Sequence, residues 1–249
     1  MNMAVRITRS IFFGMVFSLL VSGAAFSAPS NIVLEGVTAV WKIGAVAVWR
    51  FPSLYAIEAT TISDRFNALY SKGFDLDDIQ VLKKGETWTL GVGDRMIATA
   101  LPRYVANAGM SPHLMGLTWL SRVYEAVGSL HAQQLTPTYK LGGAYDLSTS
   151  VSWYGGKRML GKKFANGEYF TESHLSAAAK NLPFGTLVKI TTPATGKSVV
   201  VRITDRFKEH KNRVLDLSQA AAELLGIKGM GVAKVTVKVI GRVDKVGGR

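Results

Sequence analysis

Few side chains in this sequence are placed to do chemistry, and Asp205 is the foremost. It ends an apolar run, Val199-Val200-Val201-Arg202-Ile203-Thr204, and so stands where a buried strand reaches the surface. Binding and catalytic residues concentrate where a rigid scaffold gives way to a loop. A carboxyl group partly withdrawn from water holds its proton more tightly and can act as a general acid. Arg206 opposes that effect if the two side chains meet, and a plain structural Asp–Arg pair is the competing reading. Glu168 follows Asn166-Gly167 and reads as a turn carboxylate. Asp216 precedes a helical pattern with Gln219 three residues on, a capping pair that makes Asp216 the expected N-cap. Arg213 either pairs with a carboxylate or lines a groove. Trp153 and Tyr154 present aromatic faces that suit sugar rings and suit a core equally well. Four His and no Cys give no zinc spacing, no His-Glu-x-x-His and no phosphate loop, so no metal or cofactor is expected.

The elements that must hold these residues fall in two groups. In the C-terminal part, residues 186–191, 198–203 and 234–240 read as strands, and residues 218–225 as a single helix stopped by Gly226. Many short strands with one helix suit a small closed barrel. The N-terminal part mixes both types. Residues 59–70 have helical spacing, 77–84, 87–93 and 96–101 read as short strands, and 37–51 as one or two buried strands. Ser111-Pro112 opens a second helix carrying Leu114, Leu117, Leu120, Val123 and Val127 on one face. Asp75, Asp77 and Asp78 read as a solvated turn, and His113 as structural.

Residues 1–27 have the form of a secretory signal: Arg6 and Arg9, an apolar run from Ile11 to Val21, then Ala25-Phe26-Ser27. The expected organisation is a signal (1–27), an α+β domain (28–129), a linker (130–147), a barrel (148–242) and a flexible, Gly-rich tail (243–249). Charge separates the halves. Residues 145–249 hold 18 Lys and Arg against 8 Asp and Glu, whereas 29–144 hold 10 against 9. A basic domain suits a polyanionic partner. For an exported protein that means wall polymer or anionic lipid sooner than nucleic acid.

Several short motifs recur in a telling order: Trp153-Tyr154-Gly155, Ala165-Asn166-Gly167-Glu168, Leu182-Pro183-Phe184-Gly185-Thr186, Asp205-Arg206 and Leu215-Asp216-Leu217-Ser218. Over residues 151–241 the chain resembles the rare lipoprotein A family of double-psi β-barrels, related to expansins and barwin. The residues read as an α+β N-terminal domain, and the resemblance implies that a mainly-β, six-stranded double-psi barrel follows it. It also implies lytic transglycosylase action on peptidoglycan glycan strands, leaving a 1,6-anhydro product, with Asp205 as catalytic acid and Glu168 assisting. Trp153, Tyr154, Arg206 and Arg213 are then the candidate substrate-binding residues. Two features depart from the family. Ala179 stands where a His is usual, and Phe207-Lys208 replaces Gly-Pro after Asp-Arg. His174 and His210 are candidate substitutes. The departures leave open a non-catalytic, expansin-like wall-binding barrel, and a secreted binder of another polyanion is a third reading. Without Cys there is no lipid anchor, so the expected location is the periplasm or cell wall, free of the membrane once the signal is removed.

Overall fold

The computed structural model describes residues 28–131, 146–207 and 213–248. The expected signal of 1–27, most of the expected linker and His210 lie outside them. Three short strands open the described chain: β1 (Ser30–Glu35), β2 (Thr38–Ile43) and β3 (Val46–Pro52), an antiparallel meander. Helix α1 (Ala56–Lys72) packs its buried face, Ala59, Ile62, Phe66 and Leu69, onto that sheet. After β4 (Phe74–Asp75), a second meander runs through β5 (Ile79–Lys84), β6 (Thr87–Val92) and β7 (Arg95–Thr99). Helix α2 (Pro102–Ala108) and α3 (Pro112–His131) complete the N-terminal part.

Helix α3 is buried on nearly every side. Met115, Leu117, Trp119, Leu120, Val123, Tyr124, Ala126 and Val127 are all inaccessible, as expected of a helix apolar around most of its circumference. It touches β3, β5 and β6 on one side and the barrel strands Thr186–Thr191, Ser198–Asp205 and Val232–Arg242 on the other. Gly128 allows this approach: a Cβ there would stand 2.6 Å from Ile240 Cγ2. Both parts of the chain therefore share one apolar core, with α3 at its centre.

The barrel comprises β8 (Asp146–Tyr154), β9 (Ser176–Ala179), β10 (Thr186–Thr191), β11 (Ser198–Asp205), β12 (Arg213–Ser218) and β13 (Val232–Arg242), with α4 (Gln219–Leu225) between the last two. It closes in the order β10-β11-β9-β12-β8-β13. Two of the pairings, β11 with β9 and β12 with β8, are parallel, and the rest are antiparallel. Exchanging the first three barrel strands in sequence with the last three returns the same ring, the internal pseudo-symmetry of a double-psi barrel. This is the architecture expected from the sequence: helix and strands first, then a six-stranded barrel.

Two local expectations fail. The residues after Arg242 do not form a free tail: β14 (Lys245–Val246) pairs antiparallel with β4, and Val243 and Val246 are buried. Their valines find apolar cover on the N-terminal part, which outweighs the flexibility of the flanking glycines. The acidic turn is not wholly solvated either, because Asp77 bonds the Arg202 guanidinium from the barrel. Among the described residues no helix is long and apolar enough to cross a membrane.

Candidate active site

Strand register builds the site. Asp205 at the end of β11 and Asp216 in β12 both pair with Ala178, the residue of β9 that lies between them. Two strand spacings put their Cα atoms roughly 10 Å apart on one row. Leu215 and Leu217 on either side of Asp216 are fully buried inside the barrel, so the alternation of a strand turns Asp216 outward. On the next strand Ser152 pairs with Asp216 and Tyr154 with Ser218. The row thus gathers Asp205, Asp216, Ser152 and Tyr154 on one face.

Two register shifts sharpen this arrangement. One falls between Ile203 and Asp205, the other between Arg213 and Leu215. Bulges re-aim side chains and occur often beside functional sites. Here each one sits at a charged residue of the row.

Asp205 is held by backbone. Its Oδ1 accepts from Ala165 N at 3.0 Å and from Arg206 N at 2.8 Å. Those donors fix the carboxyl plane, and among the described residues both go to Oδ1 and neither to Oδ2. The Arg206 side chain turns elsewhere: Nη1 donates to Leu182 O at 2.9 Å, and the guanidinium lies 3.6 Å above the Phe184 ring. The side chain of Arg206 thus pins the Leu-Pro-Phe-Gly loop. Asp216 Oδ1 accepts from Ser152 Oγ at 2.7 Å, and Ser152 Oγ accepts from Arg213 at 2.6 Å. Burial pushes the Asp216 carboxyl above its ordinary range, and the nearby Asp205 charge adds to this, against the pull of Ser152 and Arg213. Tyr154 donates to or accepts from Ser176 Oγ at 3.1 Å, and burial raises its phenol well beyond the usual value. The Tyr154 ring packs edge-on against Phe164 and tilted against Phe170. Gly155 lets the chain leave β8 at this point: with φ at +138°, a Cβ there would meet Gln219 Cβ at 2.9 Å.

Asp216 is therefore not the helix cap that the capping pattern suggested. Ser218 caps α4, its hydroxyl accepting from Ala221 N, while Asp216 is still in strand. The leucines flanking Asp216 at a spacing of two carried the correct signal, and the helical pattern masked it.

Glu168 occupies a separate, closed cluster. Arg202, only 2% exposed, donates Nη1 to Glu168 Oε1 at 2.7 Å and Nη2 to Oε2 at 2.5 Å. Burial would raise the Glu168 carboxyl, but Arg202 and then Asn166 hold it below its usual range. Glu168 is thus an anion with both oxygens engaged. His174 stands beside it, Nε2 at 3.7 Å from Glu168 Oε2, with its ring among Phe164 and Phe170. Its Nδ1 accepts from Thr171 N at 2.9 Å, which places the proton of the neutral ring on Nε2. Burial depresses His174 to about 4, so it is neutral near pH 7.

The remaining candidates divide. Arg213 joins the carboxylate row through Ser152. Trp153 is partly buried, and its indole donates to Lys228 O at 3.1 Å, tying β8 to the turn before β13. Ala179 is fully buried opposite Leu215, in a row facing the interior.

Comparison with known proteins places this barrel. Residues 147–237 match the model of a family described as lytic transglycolase. The endolytic peptidoglycan transglycosylase RlpA of Rickettsia typhi is 40% identical over 119 residues, covering 47% of this chain and 35% of that protein. The protein of the same name in Neisseria meningitidis serogroup B is 37% identical over 155 residues, covering 58% of this chain and 64% of that one. The chain thus spans about a third of the length of the first of these relatives. Among solved structures, an apo expansin of Clavibacter michiganensis aligns with a TM-score of 0.31 at 18% identity, over 38% of this chain and 50% of that one. The barrel of residues 147–237 is thus similar to the lytic transglycolase family and to proteins named RlpA.

Proposed function

We propose that this protein cleaves peptidoglycan glycan strands by lytic transglycosylation, using the row of Asp205 and Asp216. The observation that carries the reading is the pairing of both carboxylates with Ala178, in the barrel segment that matches the family. In the proposed reaction, a proton passes from Asp205 to the glycosidic oxygen between N-acetylmuramic acid and N-acetylglucosamine. The bond from C1 of the muramoyl sugar to that oxygen breaks. The C6 hydroxyl of the same sugar attacks C1 and gives its proton back to the carboxylate. A 1,6-anhydro end results and no water is consumed, so the acid and the base can be one group, unlike the two-carboxylate scheme of hydrolytic glycosidases. Asp216, its carboxyl raised by burial against the pull of Ser152 and Arg213, lies on the same row and adds its charge to the field around Asp205. Tyr154 and Arg213 face the sugar. Glu168 assists by fixing the loop that donates to Asp205, not by moving a proton.

A specific observation favours a second reading, a barrel that binds wall glycan without cutting it. Ala179, at the position where the family has His, brings no polar side chain to the row. One experiment separates the two. Purified peptidoglycan is incubated with the wild-type chain and with Asp205→Asn, and both the soluble products and the wall-bound protein are measured. Anhydromuramoyl products from the wild type alone support the enzyme. Equal pelleting of both proteins with no product supports the binder. We further propose export, directed by residues 1–27, with the wall as the site of action; a mature N-terminus at Ala28 in secreted material is the expected result.

A further inference from the structure

The 165–174 loop, which supplies the Ala165 N–H to Asp205, is held from outside the barrel. Arg202 is the joint. It points out of β11, grips Glu168 with both Nη atoms, and bonds Asp77 Oδ1 of the N-terminal part at 2.5 Å through the same Nη1. The Tyr124 hydroxyl of α3 sits against the same guanidinium in full burial. A second tie lies further along the loop. His113, at the start of α3, stacks on Trp88 with ring centroids 4.0 Å apart and meets Ser173 Oγ through Nε2 at 3.2 Å. Just before Glu168, Asn166 N donates to Thr204 O and Ala165 N donates to Asp205. Asp77, Tyr124, Trp88 and His113 all lie outside the family segment of 147–237.

We propose that the N-terminal part is a positioning element of the barrel's site: Asp77 and Tyr124 through Arg202, and His113 through Ser173, fix the loop that orients the Asp205 carboxyl. The physical reason lies in the chemistry of Arg202. A buried guanidinium has five N–H donors in a fixed fork. Glu168 satisfies two directions, and without further partners the group would tilt toward whatever remained. Asp77 and Tyr124 close the other side and leave Glu168, and the loop behind it, a single geometry. None of these N-terminal residues reaches the carboxylate row, so they act through the loop. That they matter for turnover rests on the reading of Asp205 given above; that they order the loop does not.

Hydrogen exchange and kinetics on the full chain test both halves, with Asp77→Asn and the isosteric Tyr124→Phe. The expected result is that amides of residues 165–174 exchange at least about tenfold faster in each variant, while peptides of β10 and β13 keep wild-type protection. Turnover falls by about tenfold with KM little changed, the signature of a misplaced catalytic group and not of lost binding. Loop protection equal to wild type in Tyr124→Phe, whose fold that change spares, overturns the proposal. Faster loop exchange in a protein whose wild type makes no product supports the ordering of the loop and sinks the catalytic reading alone.

Discussion

Two clusters of carboxylate and arginine lie at the same end of this barrel, and they are built to opposite rules. Around Arg202 every strong acceptor is matched: Glu168 binds it with both oxygens, Asp77 adds a third contact, and Arg202 is almost inaccessible. In the row of Asp205 and Asp216 the carboxyls are only partly buried, and the arginine reaches Asp216 through a serine. A carboxylate with both oxygens held by a buried guanidinium is rigid and has little capacity to accept a proton. A row with an oxygen that none of the hydrogen bonds among the described residues engages, and with one carboxyl raised by burial, has that capacity. On the proposed reading the same residue types do positioning in one place and proton chemistry in the other, and the number of partners decides which.

The contrast can be broken first at its rigid half. Arg202→Ala strands Glu168 and Asp77 beside each other without a counter-charge, and removing one partner of a buried pair costs about 3–5 kcal/mol. Denaturant unfolding should show the loss; a variant as stable as wild type would mean that the cluster is solvated. The next largest effect is one of pH. His174 is depressed to about 4 from an ordinary value of 6.5, so its neutral form is the one that the fold favours. Its stabilising contribution is complete above pH 6.5 and is lost as pH falls toward 4, on the order of 3 kcal/mol in all. Unfolding measured at pH 7 and at pH 4.5 should differ less in His174→Gln than in wild type. An unchanged difference would remove His174 from the cause.

The open half should respond in activity and not in stability. Asp216→Asn keeps the shape and the Ser152 contact but removes the group's charge and its titratable proton from the row, and a drop of about 100-fold in product formation is expected, within the usual span for acid–base groups. Activity within a factor of two of wild type would make Asp216 a bystander. The smallest effect settles a structural point. Ser218→Ala removes the true cap of α4 and should cost about 1 kcal/mol, while Asp216→Asn should leave helix stability as it was. The reverse ranking in thermal melts would restore Asp216 as the cap.

How far the sequence could be read differs between the clusters for physical reasons. The barrel strands that face water on one side alternate visibly, and β13 was legible from Val and Ile alternating with Lys and Thr. Strand β9, four small residues buried throughout, has no alternation to find, and its register alone sets Asp205 beside Asp216. Asp205 stood out because it ends an apolar run. Asp216 did not, because Ser218 and Gln219 lie close enough to imitate a capping pair. The Arg202 cluster was invisible in principle. Its partners Asp77, Tyr124 and Glu168 are far apart in sequence, and nothing local marks an arginine inside a valine run as paired. The buried tail failed for a related reason: Val243 and Val246 looked isolated among glycines until β4 supplied an edge.

The central claim is that the row does the chemistry and the Arg202 cluster does the positioning. Its most direct test is a paired measurement on Asp205→Asn and Glu168→Gln, with anhydromuramoyl products from purified peptidoglycan read by mass spectrometry beside the melting temperature of each. The account predicts that Asp205→Asn melts like wild type and yields no detectable product, while Glu168→Gln melts lower and retains measurable product. Full activity in Asp205→Asn, or a Glu168→Gln protein that is as stable as wild type yet wholly inactive, would contradict it.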